Sequence, residues 1–407
     1  MGPLSLTDDY LVLNDGMNQI GPIDAVNRLV TVQTGVTVEQ LDRALRRAGL
    51  AIPTNVVLTC VTYGGIVATG SHGTGWQCRT LSDLVEAMTV VTHSGAVVRY
   101  TESTHGAAIM NAVRCNLGTL GLIHDMTLRV EPMFNLRAVD QHMPMELVAD
   151  PARLREFVTG NQYIELLWFP LTEGLWAKSW NRTDERAARR SWLTGPSAYV
   201  ASHIGASLWR HVTRHPHRTE PLNRWLLRPR YREVVRDAAD TLHYRPFLEL
   251  MPCSILSFAF KVDHAFKNVS QAWMTIVDKV RDKAERGAFP LNMVLEMRAI
   301  RNSRALLSPV LGRDDEHHIY FELISFQGTP GVREFFDEVA LDWMSTPELH
   351  GRPHWAKYFY DIPGIVPYVR QVWGQSLRTF ADIRDAADPE RMFLNPALER
   401  VLYDEGP

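Results

Sequence analysis

Gly64-Gly65-Ile66-Val67-Ala68-Thr69-Gly70-Ser71-His72-Gly73-Thr74-Gly75 holds five glycines and three hydroxyl side chains within twelve residues. Glycine admits positive φ and lets a ligand approach the main chain closely. Successive bare N–H groups in such a turn form a concave anion site, to which Ser and Thr hydroxyls add donors. The stretch reads either as a cradle for a phosphate-bearing cofactor or as a purely structural glycine turn, and spacing alone does not separate the two. It is not a Walker loop, because no Lys-Ser/Thr pair follows the glycines. It is not the dinucleotide fingerprint, because the spacing differs and no helical pattern opens on it.

The same stretch resembles the second flavin-binding segment of the vanillyl-alcohol-oxidase-type (PCMH-type) FAD proteins, in the branch of sugar-lactone and alditol oxidases. Arg114-Cys115-Asn116-Leu117-Gly118-Thr119-Leu120-Gly121-Leu122-Ile123 is similar to the family segment whose backbone lies along the flavin. Arg352-Pro353-His354-Trp355-Ala356-Lys357 resembles the HWxK signature of aldonolactone oxidases, and Asp388-Pro389-Glu390-Arg391-Met392-Phe393-Leu394-Asn395 resembles the closing DPxxxFLN.

The resemblance implies an α+β chain in two parts. Residues 1–133 are expected to form a PCMH-type FAD-binding domain, and residues 134–407 a substrate (cap) domain with a large antiparallel sheet covered by helices. The segment 350–407 is expected to return to the flavin site. FAD is the implied cofactor, held by Gly65, Thr69, Gly70, Ser71, His72, Gly73, Thr74, Gly75, Gly118, Gly121, Ile123 and Asn395. In the family a GxGHS-like loop, often carrying a histidine bonded to the flavin, precedes the region that Asp9 to Asn18 resembles. The expectation is therefore an N-terminally incomplete flavin domain that holds FAD weakly and non-covalently.

Hydrophobic residues make up 45% of the 407 and charged residues 22%, the balance of an ordinary globular chain with room for two domains. A net charge of −3 argues against bulk electrostatic capture of nucleic acid. No apolar run approaches the roughly 18–20 residues of a spanning helix. Met1-Gly2-Pro3-Leu4-Ser5 shows no basic region followed by an apolar core. Cys60, Cys78, Cys115 and Cys253 form no CxxC pair and read as reduced thiols of a cytoplasmic protein, each a small buried hydrophobe.

Periodicity places the elements. Leu29 to Gln33 alternates as a strand; Thr37 to Gln40 is a capping box opening a helix with Leu41, Ala44, Leu45 and Ala48 on one face, ended by Gly49. Leu84 to Thr92 and Ala96 to Tyr100 read as a hairpin around Ser94-Gly95, and Leu122 to Val130 as a strand, giving helices beside a mixed sheet. Tyr163 to Pro170, Leu256 to Val262, Val294 to Ile300 and Ile319 to Phe326 read as strands; Val269 to Arg286 and Val332 to Trp343 read as helices. Residues 184–245, rich in Arg, His and Trp, read as mostly helical and as a cover for a large or apolar substrate. The basic run 210–218 reads as a solvated face or an anion patch. His317 and His318 are adjacent on a strand and point to opposite faces, so no metal is expected.

Oxidation of a C–OH bond by a flavin needs a hydride acceptor, a group that takes or shares the hydroxyl proton, and positive charge near the reduced ring. Glu296 and Arg298, two apart on a strand, share a face and make either a substrate-binding pair or a cross-sheet salt bridge. The family's Glu-x-Arg strand implies the catalytic reading. Lys357 in the HWxK match is the implied cation near the flavin or substrate oxygen. Ser71, Ser325 and His354 are the implied substrate contacts. Ile324-Ser325 stands where the family has a polar pair, which implies a less polar pocket. The expected activity is that of an FAD-dependent oxidase or dehydrogenase acting on CH–OH of a sugar lactone, polyol or related alcohol, like D-arabinono-1,4-lactone oxidase. Oxygen or another acceptor takes the electrons, with no nucleic acid and no membrane span involved. The alternative is a flavin-poor relative acting as a binding or partner subunit.

Overall fold

The computed structural model describes residues 11–188, 207, 211–212, 214–226, 231–243 and 252–403. In chain order its strands begin β1 (Ile20–Asp24), β2 (Leu29–Gln33), β3 (Leu50–Ala51), β4 (Val85–Val91), β5 (Val97–Thr101), β6 (Leu122–Arg129) and β7 (Glu131–Pro132). They continue with β8 (Asn135–Pro144), β9 (Tyr163–Trp168), β10 (Gly174–Thr183), β11 (Tyr231–Asp237), β12 (Cys253–Lys261), β13 (Val294–Arg301), β14 (His317–Phe326) and β15 (Arg352–Pro353).

The first sheet runs β1-β2-β6-β4-β5. All its pairings are antiparallel, so the expected mixed sheet is corrected. On β2, Val30 and Val32 turn inward to pack with Leu128 and Met126 of β6. The helix Val38–Arg47 starts on the capping box, with Thr37 accepting from the Gln40 N–H and the Gln40 side chain answering, and buries Val38, Leu41 and Leu45 on this sheet.

The second sheet has eight strands in the order β11-β8-β10-β9-β13-β14-β12-β15. The period of two divides it into faces of opposite chemistry. Ile164, Leu166, Leu295, Met297, Phe321, Leu323, Phe258 and Phe260 turn to the helices Lys267–Glu285 and Val332–Ser345, where Trp273 and Trp343 meet Phe321 and Phe260 edge-on. The alternate residues Glu165, Arg298, Tyr320 and Glu322 turn to the first sheet's side and are buried there as well.

Among the described residues of 184–245, the strand β11 lies between the helices Thr219–Leu226 and Ala238–Thr241, with a few further helical turns before them. Arg210 and Thr213 of the basic run, and much of 189–213, lie outside the described residues. Among the described residues no helix is long and apolar enough to cross a membrane.

Candidate active site

The glycine stretch divides into three pieces with separate jobs. Its first third is a short helix, Tyr63–Ala68, which the sequence reading missed because two glycines sit inside it. Tertiary contact decides here: a Cβ on Gly64 would collide with Thr34. The middle, Thr69 to His72, turns at Gly70 (φ +64°), whose Cα packs toward Cys115 and Pro309. The last third is a seam between the two sheets. The Thr74 hydroxyl donates to the Ile164 carbonyl (2.6 Å), and the Gly75 N–H donates to the Ala299 carbonyl (2.8 Å). Gly75 sits at φ +143°, where a Cβ would lie 2.6 Å from the Cys78 sulfur. Backbone freedom and close packing, not ligand contact, explain that glycine.

A cavity of about 620 Å³ opens beside the turn. One wall is apolar, from Val56, Val57, Val61 and Ile66; the other is polar, from Thr69, Ser71, His72, Arg298, Glu322, His354 and Lys357. Gly65 lines it with open space where its Cβ would be, the nearest atom being the Thr62 hydroxyl at 3.6 Å. The HWxK segment is held against β12 at both ends: the His354 N–H donates to the Ser257 carbonyl (3.0 Å) and the Tyr358 N–H to the Ile255 carbonyl (2.9 Å). This presents Lys357 to the cavity. Trp355 lies behind as core, its indole N–H on the Leu307 carbonyl.

Arg298 is the hub of the polar wall. It pairs with Glu296 on its own strand, with Glu165 of β9 at 3.4 Å and with Glu322 of β14 at 3.9 Å; Lys357 stands 4.0 Å from the other oxygen of Glu322. Lys178 holds the second oxygen of Glu165 at 2.5 Å. Burial opposes charge on all three carboxyls, with different outcomes. For Glu322 the Lys357 and Arg298 cations outweigh burial and hold it at about 2. For Glu165 the Lys178 and Arg298 cations do the same, again to about 2. For Glu296 burial wins over Arg298, and the negative charges of Glu165 and Glu322 help push it well above the usual carboxylate range. Of the three, Glu296 is the one that burial disposes to hold a proton.

Both histidines of the wall are neutral. Burial pulls His72 down to about 4 despite the nearby Glu322, and burial together with His72 and Lys357 pulls His354 well below its ordinary value. The His72 ring stacks on Tyr320 at 3.5 Å between centroids, with Nδ1–H donating to the Gly73 carbonyl (2.9 Å). The His354 Nδ1 accepts from the Ala356 N–H (3.1 Å).

The structure thus brings together Gly65, Thr69, Ser71, His72, Arg298, His354 and Lys357, with Glu296 immediately behind Arg298. It does not bring Ser325. That residue is an odd number of positions from Glu322 and faces the helices, its hydroxyl donating to the Pro290 carbonyl (2.7 Å) and accepting from the Asn292 N–H (3.2 Å). Glu322 occupies the wall instead and adds a charge there, opposite the apolar wall. Asn395 caps the helix Pro396–Leu402 through the Leu398 N–H (2.9 Å) and lines no part of this cavity. Gly118, Gly121 and Ile123 lie off its wall too; their loop touches the turn through the Leu117 N–H on the Ala68 carbonyl (2.9 Å). Cys60 is exposed on the cavity's rim, not a buried filler. Glu322, Glu165 and Lys178 were missed by the sequence reading. The available signal was a lone carboxylate inside each of two apolar strand runs, which burial makes costly without a partner.

The cavity suits a flavin by its donor set. The apolar residues Val56, Val57, Val61 and Ile66 would hold the ring system, and Arg298, Lys357 and the hydrogen-bonding groups of Thr69, Ser71, His72 and His354 would meet its polar edge.

Comparison with known proteins agrees. The family model described as D-arabinono-1,4-lactone oxidase matches residues 126–401, and the FAD binding domain model matches residues 2–101. The second match begins at residue 2 and gives no support to the expectation of an incomplete flavin domain. The chain is 28% identical to the L-gulono-1,4-lactone dehydrogenase of Mycobacterium tuberculosis, covering 98% of this chain and 87% of that one. It is 27% identical to the L-gulonolactone oxidase of Mus musculus over the same shares. In fold it is similar to the cholesterol oxidase of B. sterolicum, with a TM-score of 0.79, 18% identity and coverage of 95% and 83%. A match spanning well over half of its length places the chain in the D-arabinono-1,4-lactone oxidase family, as an FAD-binding oxidoreductase that acts on CH–OH donors.

Proposed function

We propose that the chain oxidises the CH–OH group of a sugar lactone, with Arg298, Glu322 and Lys357 as the groups that handle the substrate. The observation that carries this reading is their convergence, with His354, on the Ser71-His72 turn in one cavity. When bound, the flavin supplies the hydride acceptor. The residues supply everything else. Arg298, with Glu296 neutral behind it, presents its guanidinium edge to the lactone and ring oxygens. Glu322, ionised and ringed by cations, accepts the hydrogen bond of the hydroxyl that is oxidised. Lys357 provides positive charge where negative charge develops. Ser71 packs beside the reacting carbon, and the apolar wall keeps water away.

FAD in this reading is held non-covalently, by the hydrogen-bonding groups of the Thr69 to His72 turn and the HWxK segment that line the cavity. Molecular oxygen or another acceptor completes the cycle, as the names of the relatives span oxidases and a dehydrogenase. Four thiols unpaired with one another support a cytoplasmic location.

The test is optical. Purified protein carries flavin absorption that acid precipitation releases into the supernatant. Anaerobic L-gulono-1,4-lactone or D-arabinono-1,4-lactone bleaches it, and air restores it if oxygen is the acceptor. Flavin bands that neither lactone bleaches would overturn the substrate reading, and colourless protein would favour a flavin-poor binding subunit.

A further inference from the structure

Five charges of alternating sign stand opposite one another on five adjacent strands of the large sheet. Arg232 of β11 faces Asp140 of β8, Asp140 faces Lys178 of β10, Lys178 faces Glu165 of β9, and Glu165 faces Arg298 of β13. Directly opposed residues of antiparallel strands share a face, so the row lies on the site's side of the sheet. A second, smaller cavity of about 190 Å³ runs along it and reaches Arg298 from the side away from Lys357. The row sinks as it nears the site: the Lys178 side chain is 17% exposed, Glu165 only 1%.

Burying such a row is a poor way to gain stability. The desolvation of each ion offsets most of its Coulombic gain, and apolar residues of the same size would serve as well or better. Its inner end meets the active-site carboxyls instead. Three buried carboxyls, Glu165, Glu296 and Glu322, crowd one guanidinium nitrogen of Arg298. Ionising all three in a buried site around one guanidinium is costly. Lys178 stands 2.5 Å from Glu165 and Lys357 4.0 Å from Glu322, which favours charge on those two and the proton on Glu296.

We propose that Glu165, anchored by Lys178, is a positioning residue that keeps the proton on Glu296 and steadies the Arg298 guanidinium at the wall of the main cavity. The groups facing Glu296 are Arg298 on its own strand, Glu165 on β9 and Glu322 on β14. Lys178 stands behind Glu165, Lys357 beyond Glu322, and His72 and His354 are neutral. With Glu296 protonated, two carboxylates face three cations, and the cluster is positive. With Glu296 ionised it would be balanced. A positive cluster is what developing negative charge at the cavity wall requires. The inference rests on the proposed function only in placing Arg298 at the reacting end.

Infrared titration of the flavin-loaded protein tests it without turnover. The parent shows a protonated-carboxyl C=O band at pH 7 that Glu296→Gln removes. In Glu165→Gln the midpoint at which this band disappears moves to lower pH by about one unit or more. In Glu165→Asp, which restores the charge, it returns toward the parent value. Lys178→Met releases Glu165 from its anion state and adds a second protonated-carboxyl band at neutral pH. Should Glu165→Gln fold poorly, the double variant Glu165→Gln/Lys178→Met, which removes both members of that ion pair, gives a smaller acid shift of the same sign. A midpoint that stays put in these variants, with only the melting temperature lowered, overturns the proposal and leaves a structural ion row. The basic limb of the rate of lactone-driven flavin bleaching moves with the infrared midpoint. If lactone bleaches nothing in the parent, the substrate reading fails, while the infrared midpoints still decide this one.

Discussion

A guanidinium shared among three carboxyl groups, as Arg298 is, depends on its planar fork. Lysine in its place keeps one charge and loses the simultaneous contacts. Arg298→Lys is expected to lower kcat/KM for the lactone by roughly a hundredfold or more, about 3 kcal/mol, while the folded state persists. Steady-state kinetics beside a thermal melt check this, and near-parent kinetics would return the residue to a structural role. Lys357 is a cleaner electrostatic probe, since its side chain is a quarter exposed and stands 4.0 Å from Glu322. Lys357→Met is expected to slow flavin bleaching by roughly 10²–10³-fold with little change in melting temperature. A melt several degrees lower with an unchanged rate would refute its assignment. At this scale the Glu-x-Arg pair was legible, because i and i+2 on a strand share a face whatever the register. Ser325 was misplaced and Glu322 overlooked for the same reason in reverse. Which parity of β14 faces the site is set by the packing of Phe321 and Leu323 on distant helices, which a single strand does not encode.

Elements whose signals are local were readable. The helix Val38–Arg47 carries its start in Thr37 and Gln40, both halves of the capping box being formed. Thr37→Ala should therefore cost about 1 kcal/mol, read as a lower denaturation midpoint at unchanged slope. No loss of stability would mean that the first sheet, rather than the cap, fixes where this helix begins. Elements defined by distant partners were harder to read. The helix Tyr63–Ala68 contains two glycines and forms because Gly64 must pass close to Thr34. β11 lies in an Arg-rich stretch and is a strand because β8 pairs with it along its length. The glycine stretch itself was half legible: its middle borders the cavity, and its end is a seam whose need for glycine lies in Cys78 and Tyr163.

The two sheets meet over a buried set of titratable groups, and the whole molecule's response to acid follows from them. His72 is held at about 4, His318 at about 3 and His354 well below its ordinary value, in each case chiefly by burial. As pH falls below about 6.5 the unfolded chain takes up these protons and the native protein does not, so stability declines. Glu296 acts oppositely: its native value is raised, so it favours the fold as pH falls toward the ordinary carboxylate range. Three histidines against one carboxyl leave the unfolded state binding more protons near pH 5.5, so stability falls as pH falls there. Below about 4.5, Glu165 and Glu322, both held at about 2, add to the loss, because their stabilising charge disappears as pH drops toward that value. The melting temperature should thus be highest near neutral pH, fall between pH 6.5 and 5, and fall more steeply below 4.5. His318 is the residue to vary, since it is buried away from the main cavity wall and its Nδ1 has no hydrogen-bond partner. His318→Gln should flatten the decline between pH 6.5 and 5 by the share of one proton, about 1.4 kcal/mol per pH unit. A melting temperature that is level from pH 7.5 to 5 in the parent would show that these histidines are protonated in the fold, and that the neutral state described for His72 and His354 on the cavity wall is wrong.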